Sequence, residues 1–185
     1  VIPYSVTSIG DRAFAGCHIL QSVVIPESVT SIGASAFDRN VKLIIKGNRF
    51  VKEADCLIDT IGRKLIYCLN ANIQECVVPE SVTSILEDAF SGCSSLHSVI
   101  ISDSVTSIGD RAFEGCSSVQ SIEIPNSITN IGDNAFYGCK SLQSVVIGNS
   151  VTSIGSNAFW GCKLLESIVI PNSVKSIDIR FMYCY

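Results

Sequence analysis

The chain has 185 residues, 47% of them hydrophobic and 16% charged, with a formal net charge of −4 and a pI near 5.1. That apolar content argues against disorder, and no Lys/Arg cluster supports binding to nucleic acid or to an anionic membrane surface. No uninterrupted apolar run approaches the ~18 residues of a membrane span.

Read in order, the chain repeats itself. LQSVVIPESVTSIGASAF (20–37) returns as LHSVIISDSVTSIGDRAFEGC (96–116), VQSIEIPNSITNIGDNAFYGC (119–139) and LQSVVIGNSVTSIGSNAFWGC (142–162). An Ala-Phe pair marks the beat at Phe14, Phe37, Phe90, Phe113, Phe136 and Phe159, with steps of 23, 53, 23, 23 and 23. The long step exceeds one period by 30 residues, so one unit carries an insertion. A fixed period of about 20–30 residues is the signature of a leucine-rich-repeat solenoid, in which each coil touches only its neighbours. The opening residues (VIPYSVTSIG) start in mid-repeat, and Ser176–Tyr185 begins a unit that lacks the Ala-Phe pair. The expectation is a piece of a longer protein, without signal peptide or targeting motif in this segment.

Residues 142–163 serve as the type coil. Leu142, Val145 and Ile147 face inward while Ser144 and Val146 alternate outward, the period-2 pattern of a strand. Gly148, or Pro3, Pro26, Pro79, Pro125 and Pro171 in other coils, ends that strand, a place suited to a residue without an N–H. Val151 and Ile154 point inward on the far side. Ser150 recurs as Ser5, Ser28, Ser81, Ser104, Ser127 and Ser173, where a small hydroxyl is expected to satisfy backbone groups at a bend. Gly155 turns the chain. Ser156, replaced by Asp11, Asp110 and Asp133 elsewhere, reads as an N-cap of one helical turn over 157–160 that Gly161 closes. Ala158 and Phe159 face the core, and the phenyl rings are expected to form one continuous stacked column.

These residues closely resemble the BspA-like leucine-rich repeat, written LxxIxIPxxVTSIGxxAFxxC, over most of residues 1–177. The long unit is similar to the hairpin-bearing variant repeat of that family. Asn48, Phe50, Asp55, Leu57, Lys64, Leu65, Ile66 and Tyr67 carry the likeness, and strands around 57–58 and 64–67 bracket a turn near 59–63. The predicted organisation is one leucine-rich-repeat domain over 1–185. Its regular coils lie at 1–42 and 73–177, its variant repeat at 43–72 and an irregular last unit at 178–185. Departures from the pattern are Asn40 in place of Cys, Leu86 and Asp178 in place of Gly, and Phe181 falling 22 residues after Phe159. The resemblance implies a surface-exposed or secreted protein of bacteria or parasitic protists, of a kind associated with adhesion to host matrix proteins, cells or other microbes.

Nine cysteines invite a chemical reading. Cys17, Cys93, Cys116, Cys139 and Cys162 each lie three residues after a repeat Phe, so they form a ladder with one thiol per coil, as Cys184 does after Phe181. Buried thiols acting as small hydrophobes are the favoured reading. Disulfides between coils stay open at a spacing of ~5 Å. Zinc is disfavoured because no CxxC pair is present. Cys76 occupies a strand core position, while Cys56 and Cys68 lie close together in the inserted hairpin, where a bridge is possible. His97 belongs to a solvated column with Gln21, Gln74, Gln120, Gln143 and Glu166, and His18 follows Cys17 in a loop. Neither has a partner suggesting a triad, and the glycines form no phosphate-binding motif. The expectation is no enzyme, no cofactor and no metal.

The surface with most promise is the outward side of the strands. One column reads Ser22, Glu75, Ser98, Ser121, Ser144 and Ser167; the next reads Val24, Val77, Ile100, Glu123, Val146 and Val169. A sheet face with an apolar stripe suits an extended protein ligand, and His97, Gln120, Gln143 and Glu166 would flank it. Plain strand propensity of β-branched residues is the competing explanation. The inserted hairpin is a second candidate surface, because insertions tend to project. The functional expectation is a protein-binding adhesion module. The alternatives are a spacer carrying another domain, or an intracellular scaffold, which a ladder of reduced thiols would suit.

Overall fold

The structure, a computed structural model, describes residues 1–39 and 41–177. In chain order its strands are β1 (Ser8–Ile9), β2 (Ser22–Ile25), β3 (Ser31–Ile32), β4 (Lys42–Ile45), β5 (Phe50–Glu53), β6 (Cys56–Asp59), β7 (Lys64–Cys68), β8 (Glu75–Val77) and β9 (Ser84–Ile85). They continue as β10 (Ser98–Ile100), β11 (Ser107–Ile108), β12 (Ser121–Ile124), β13 (Asn130–Ile131), β14 (Ser144–Ile147), β15 (Ser153–Ile154), β16 (Ser167–Val169) and β17 (Ser176–Ile177). Each regular coil thus gives a longer strand to one side and a two-residue strand to the other. Parallel pairing joins each repeat position to its own counterpart one coil on, as Ser144 to Ser167 and Ile108 to Ile131. The result is the parallel solenoid that the period predicts. Asn40 and the unit at 178–185, with Asp178, Phe181 and Cys184, lie outside the described residues.

The long-strand array is less continuous than expected. It runs as β2–β4, β8–β10 and β12–β14–β16, whereas the short strands from β9 to β17 share one eight-stranded sheet with β5, β6 and β7. The first break falls where the inserted hairpin begins.

The third side of the coil is not a helical turn, and no helix occurs among the described residues. Arg111, Asn134 and Asn157, placed where a helix would start, have φ of 53–55°, a left-handed conformation that breaks helical propagation. The backbone N–H groups divide their bonds instead. Those of Ala112, Glu114 and Cys116 close tight turns onto Gly109, Arg111 and Phe113. Those of Phe90, Phe113 and Phe136 reach the carbonyls of Ala112, Ala135 and Ala158 in the next coil at 2.6–2.8 Å. A third inter-coil ladder therefore replaces the helix, and the aspartates cap that ladder. Asp110 Oδ1 accepts from the N–H of Asp133 at 2.9 Å, and Asp133 Oδ1 from that of Ser156 at 2.7 Å. The serine column is only half as expected. Ser28 and Ser104 donate to the carbonyls of Val6 and Val82, while the Ser127 and Ser173 hydroxyls are buried without a hydrogen-bond partner.

Glycine at the corner after the short strand is enforced by close approach. A Cβ added to Gly109 or Gly132 would lie 2.5–2.6 Å from backbone nitrogen in the preceding coil. Leu86 escapes this rule because the coil before it is the variant one. There β7 runs straight on to Cys68 instead of turning, and the Leu86 N–H bonds to the Leu65 carbonyl at 3.0 Å.

The hairpin explains the long step. The extra residues form a coil of their own, with β4 on the long-strand side and β7 on the short-strand side, where Leu65 pairs with Ile85. The turn between β6 and β7 is shaped by Asp59, whose Oδ1 accepts from the N–H groups of Ile61 and Gly62 at 3.1 Å. β5 adds a third antiparallel strand that the sequence reading did not separate. Contrary to expectation, β6 and β7 do not project. Cys56, Ile58, Leu65 and Cys68 join the core of the later coils, whereas Leu57, Ile66 and Tyr67 join the core of the earlier ones. The hairpin is a partition buried on both faces, leaving residues 52–55 and the turn at 60–64 mostly open to solvent.

Candidate interaction surface

Alternation on the long strands leaves one side chain of each pair in solvent. β12 and β14 bury Ile122, Ile124, Val145 and Ile147 and expose Ser121, Glu123, Ser144 and Val146. In the apolar column Val77 is 57% exposed, Ile100 59%, Val146 56% and Val169 74%, and Glu123 is also exposed. Val24 departs from the expectation, being half-buried. Its cross-strand partner Ile44 adds a member that sequence reading missed, 37% exposed. The flanking column of His97, Gln120, Gln143 and Glu166 is exposed, with backbone N–H groups bonded coil to coil, as Gln143 to Gln120 at 2.8 Å and Glu166 to Gln143 at 3.1 Å. The four coils from β8 to β14 line a trough of about 1330 Å³, floored by Val77, Ile100, Glu123 and Val146 and edged by Glu80, Asp103 and Asn126.

The structural columns divide at the partition. Phe90, Phe113, Phe136 and Phe159 stack with ring centroids 5.0–5.2 Å apart, and Phe14 stacks on Phe37 at 5.0 Å. Between them the single column predicted from the repeat is interrupted. Cys68 takes the place of the missing ring, its N–H bonding to the Ala89 carbonyl at 2.7 Å as Phe90 does to Ala112. Cys93, Cys116 and Cys139 are fully buried free thiols, and Cys162 is fully buried beside them. Cys116, Cys139 and Cys162 donate to the carbonyls of Phe90, Phe113 and Phe136 at 3.2–3.3 Å. Burial pushes the Cys116 thiol up to about 12 and that of Cys139 well above its ordinary value. Cys17 does not share this setting. It is exposed. Cys56 and Cys68 face each other across β6 and β7 as free thiols, and thiol hydrogen bonds to Cys68 and Cys76, with burial, push the Cys56 thiol up. Among the described residues no group of His, Cys, Asp or Glu is placed to hold a metal ion.

Where the aromatic turn is missing, a cleft of about 450 Å³ opens between the turns of Phe37 and Phe90. The Arg39 guanidinium spans it, donating to the carbonyls of Cys68 at 3.1 Å, Ala89 at 3.5 Å and Ser91. Buried Asp88 is held by Arg111 Nε at 2.9 Å and approached by Arg12 at 3.6 Å. Arg39, Asp88 and Arg111 are thus held by partners within the chain, while Asp38, which also lines the cleft, has a buried Oδ2 without a hydrogen-bond partner.

A parallel solenoid of ~23-residue coils, with a Leu/Val/Ile strand and a Cys and Phe ladder per coil, is a leucine-rich-repeat protein. More narrowly, the chain belongs to the family described as the BspA type leucine rich repeat region, whose model matches six copies over residues 1–46 and 59–185. It is similar in structure to the pneumococcal vaccine antigen PcpA, with a TM-score of 0.77 and 24% identity over 88% of this chain and 42% of that one. It is also similar to a leucine rich cell surface protein of Faecalibacterium prausnitzii, with a TM-score of 0.66 and 32% identity over 89% of this chain and 51% of the other. A leucine-rich-repeat protein of T. pallidum gives a TM-score of 0.58 and 33% identity over 68% of this chain and 59% of that one. The chain therefore spans about half the length of these solved relatives. No curated protein sequence matches it.

Proposed function

We propose that this chain is a non-catalytic protein-binding module of a surface-exposed or secreted protein, acting as one domain over 1–185 and engaging a host or microbial protein through its long-strand face. The observation that carries the reading is the column Val77, Ile100, Val146 and Val169, each more than half exposed, on a rigid ladder otherwise edged by Ser, Gln and carboxylates. Exposed apolar residues aligned over successive coils are what a protein partner buries. The solved relative from F. prausnitzii is a cell surface protein at 32% identity, which supports the same location for this chain. No helix of the described residues is long and apolar enough to cross a membrane.

Solid-phase binding to matrix proteins and to epithelial cells tests the reading. Val146→Lys combined with Val169→Lys is expected to abolish binding while leaving the fold intact, because both side chains point to solvent. Full binding by that variant would turn the face into ordinary strand surface and the solenoid into a spacer.

A further inference from the structure

The face has a charge pattern as well as an apolar one. From β8 to β17 the long strands, the residue before each and the residues that end them carry Glu75, Glu80, Asp103, Glu123 and Glu166 and no Lys or Arg. Those five carboxylates exceed the net charge of the whole chain, −4. Glu123 also interrupts the apolar column at its middle, exposed between Ile100 and Val146.

Resting on the proposed protein-binding role of this face, we propose that its occupant is an extended, positively charged polypeptide segment laid across the strands. Its pattern is apolar–x–Lys/Arg–x–apolar, with the basic residue over Glu123. The spacing selects this pattern. Coils advance by 5.0–5.2 Å, as the stacked rings record. An extended chain places alternate side chains about 6.8 Å apart. With a cationic side chain centred on Glu123, its neighbours two residues away on either side fall between Val77 and Ile100 and between Val146 and Val169. Each apolar side chain of the ligand then packs into the notch between two exposed β-branched residues, and no apolar group is forced onto the carboxylate. An acidic segment would meet five like charges, and like-charge juxtaposition suppresses wrong partners more than it tunes affinity.

The test uses three labelled nine-residue peptides, each a Thr-rich chain bearing at its centre Leu-Thr-Lys-Thr-Leu, Leu-Thr-Glu-Thr-Leu or Lys-Thr-Leu-Thr-Lys. Binding to the 185-residue chain is measured by fluorescence anisotropy at low and high salt. The Lys-centred peptide is expected to bind about tenfold more tightly than the Glu-centred one at low salt, with the gap closing as salt screens the charges. The Lys-Thr-Leu-Thr-Lys peptide, with charge but the wrong spacing, is expected to bind more weakly than the Lys-centred one. Glu123→Lys should invert the order of the first two. Equal binding of the Lys- and Glu-centred peptides, or an order that survives Glu123→Lys, overturns the proposal. If both then bind and Val146→Lys abolishes both, the broader reading of the face survives alone. Binding by none of the peptides, together with self-association lost in Val146→Lys, overturns it in favour of a second copy as occupant.

Discussion

The coil at 43–72 and the coils at 73–177 solve one problem in opposite ways. A regular coil seals its neighbour by repetition, so that Ile108 lies on Ile131, Phe113 on Phe136 and the Cys139 thiol against the Phe113 carbonyl. The variant coil has no counterpart to copy. It gives up the aromatic turn and inserts β6 and β7, whose alternate side chains fill the core on either side. The partition interrupts the rings, the long strands and the corner glycines, whereas the short-strand ladder of the later coils runs on from β9 into β7. The lesson is that a solenoid needs only matched apolar surfaces at each joint, and identical coils are the simplest way to supply them.

The largest expected effect lies in the repeating half. Phe113→Ala removes a ring stacked on both sides and 1% exposed, and should cost about 3–5 kcal/mol in denaturant unfolding. Phe14→Ala, in a half-buried ring stacked on one side only, should cost clearly less. Equal losses would mean that stacking across coils contributes nothing beyond local burial.

Next comes the corner. Gly132→Ala drives a methyl group into the backbone of the preceding coil and should destabilise by about 1–3 kcal/mol, read from the shift of the denaturation midpoint. Gly10→Ala meets no atom within 4 Å and should change stability by less than about 0.5 kcal/mol. A shared penalty at both sites would point to backbone conformation rather than to coil contact.

At the joint, Arg39→Met leaves the carbonyls of Cys68, Ala89 and Ser91 without their shared donor and should cost about 1–2 kcal/mol. Arg39→Lys should recover only part of this, because an ammonium lacks the planar fork that reaches several acceptors. Thermal unfolding of the three proteins side by side checks the ranking.

These residues also mark what the sequence could and could not reveal. The period, the strand pairing and the buried Phe and Cys columns were legible because each is written several times in register. The hairpin strands were legible because Leu57–Ile58 and Lys64–Tyr67 flank an obvious turn. Burial of the hairpin on both faces was signalled only by the unbroken apolar run Leu65-Ile66-Tyr67-Cys68, which one family-style reading of insertions as projections overrode. The helical turn was misread because Gly and Asp punctuation suits a capped helix equally well. The deciding feature, a left-handed Arg111, leaves no mark in composition. Arg39 occurs once, so no repetition could single it out, and its partners are carbonyls, which every sequence has. Of the exposed face, alternation gave the column and missed Ile44, because β4 belongs to the coil that breaks the repeat.

The smallest effect separates stability from recognition. Glu123 lies in register with Val146 in the adjoining strand, and Ile100 holds the same repeat position one coil earlier. If the column existed only to favour strands, a carboxylate there would be its weakest member. Glu123→Val supplies a β-branched side chain with an apolar cross-strand partner, and should stabilise the fold by a few tenths of a kcal/mol up to about 1 kcal/mol. Calorimetric melting of Glu123→Val against the parent chain measures this directly. A gain in melting temperature means that the fold itself has no use for the carboxylate, so its position in the stripe has to be explained by what the face meets. A loss would show that Glu123 has a structural role in the ladder, and the charge pattern would then carry far less weight as a guide to the partner.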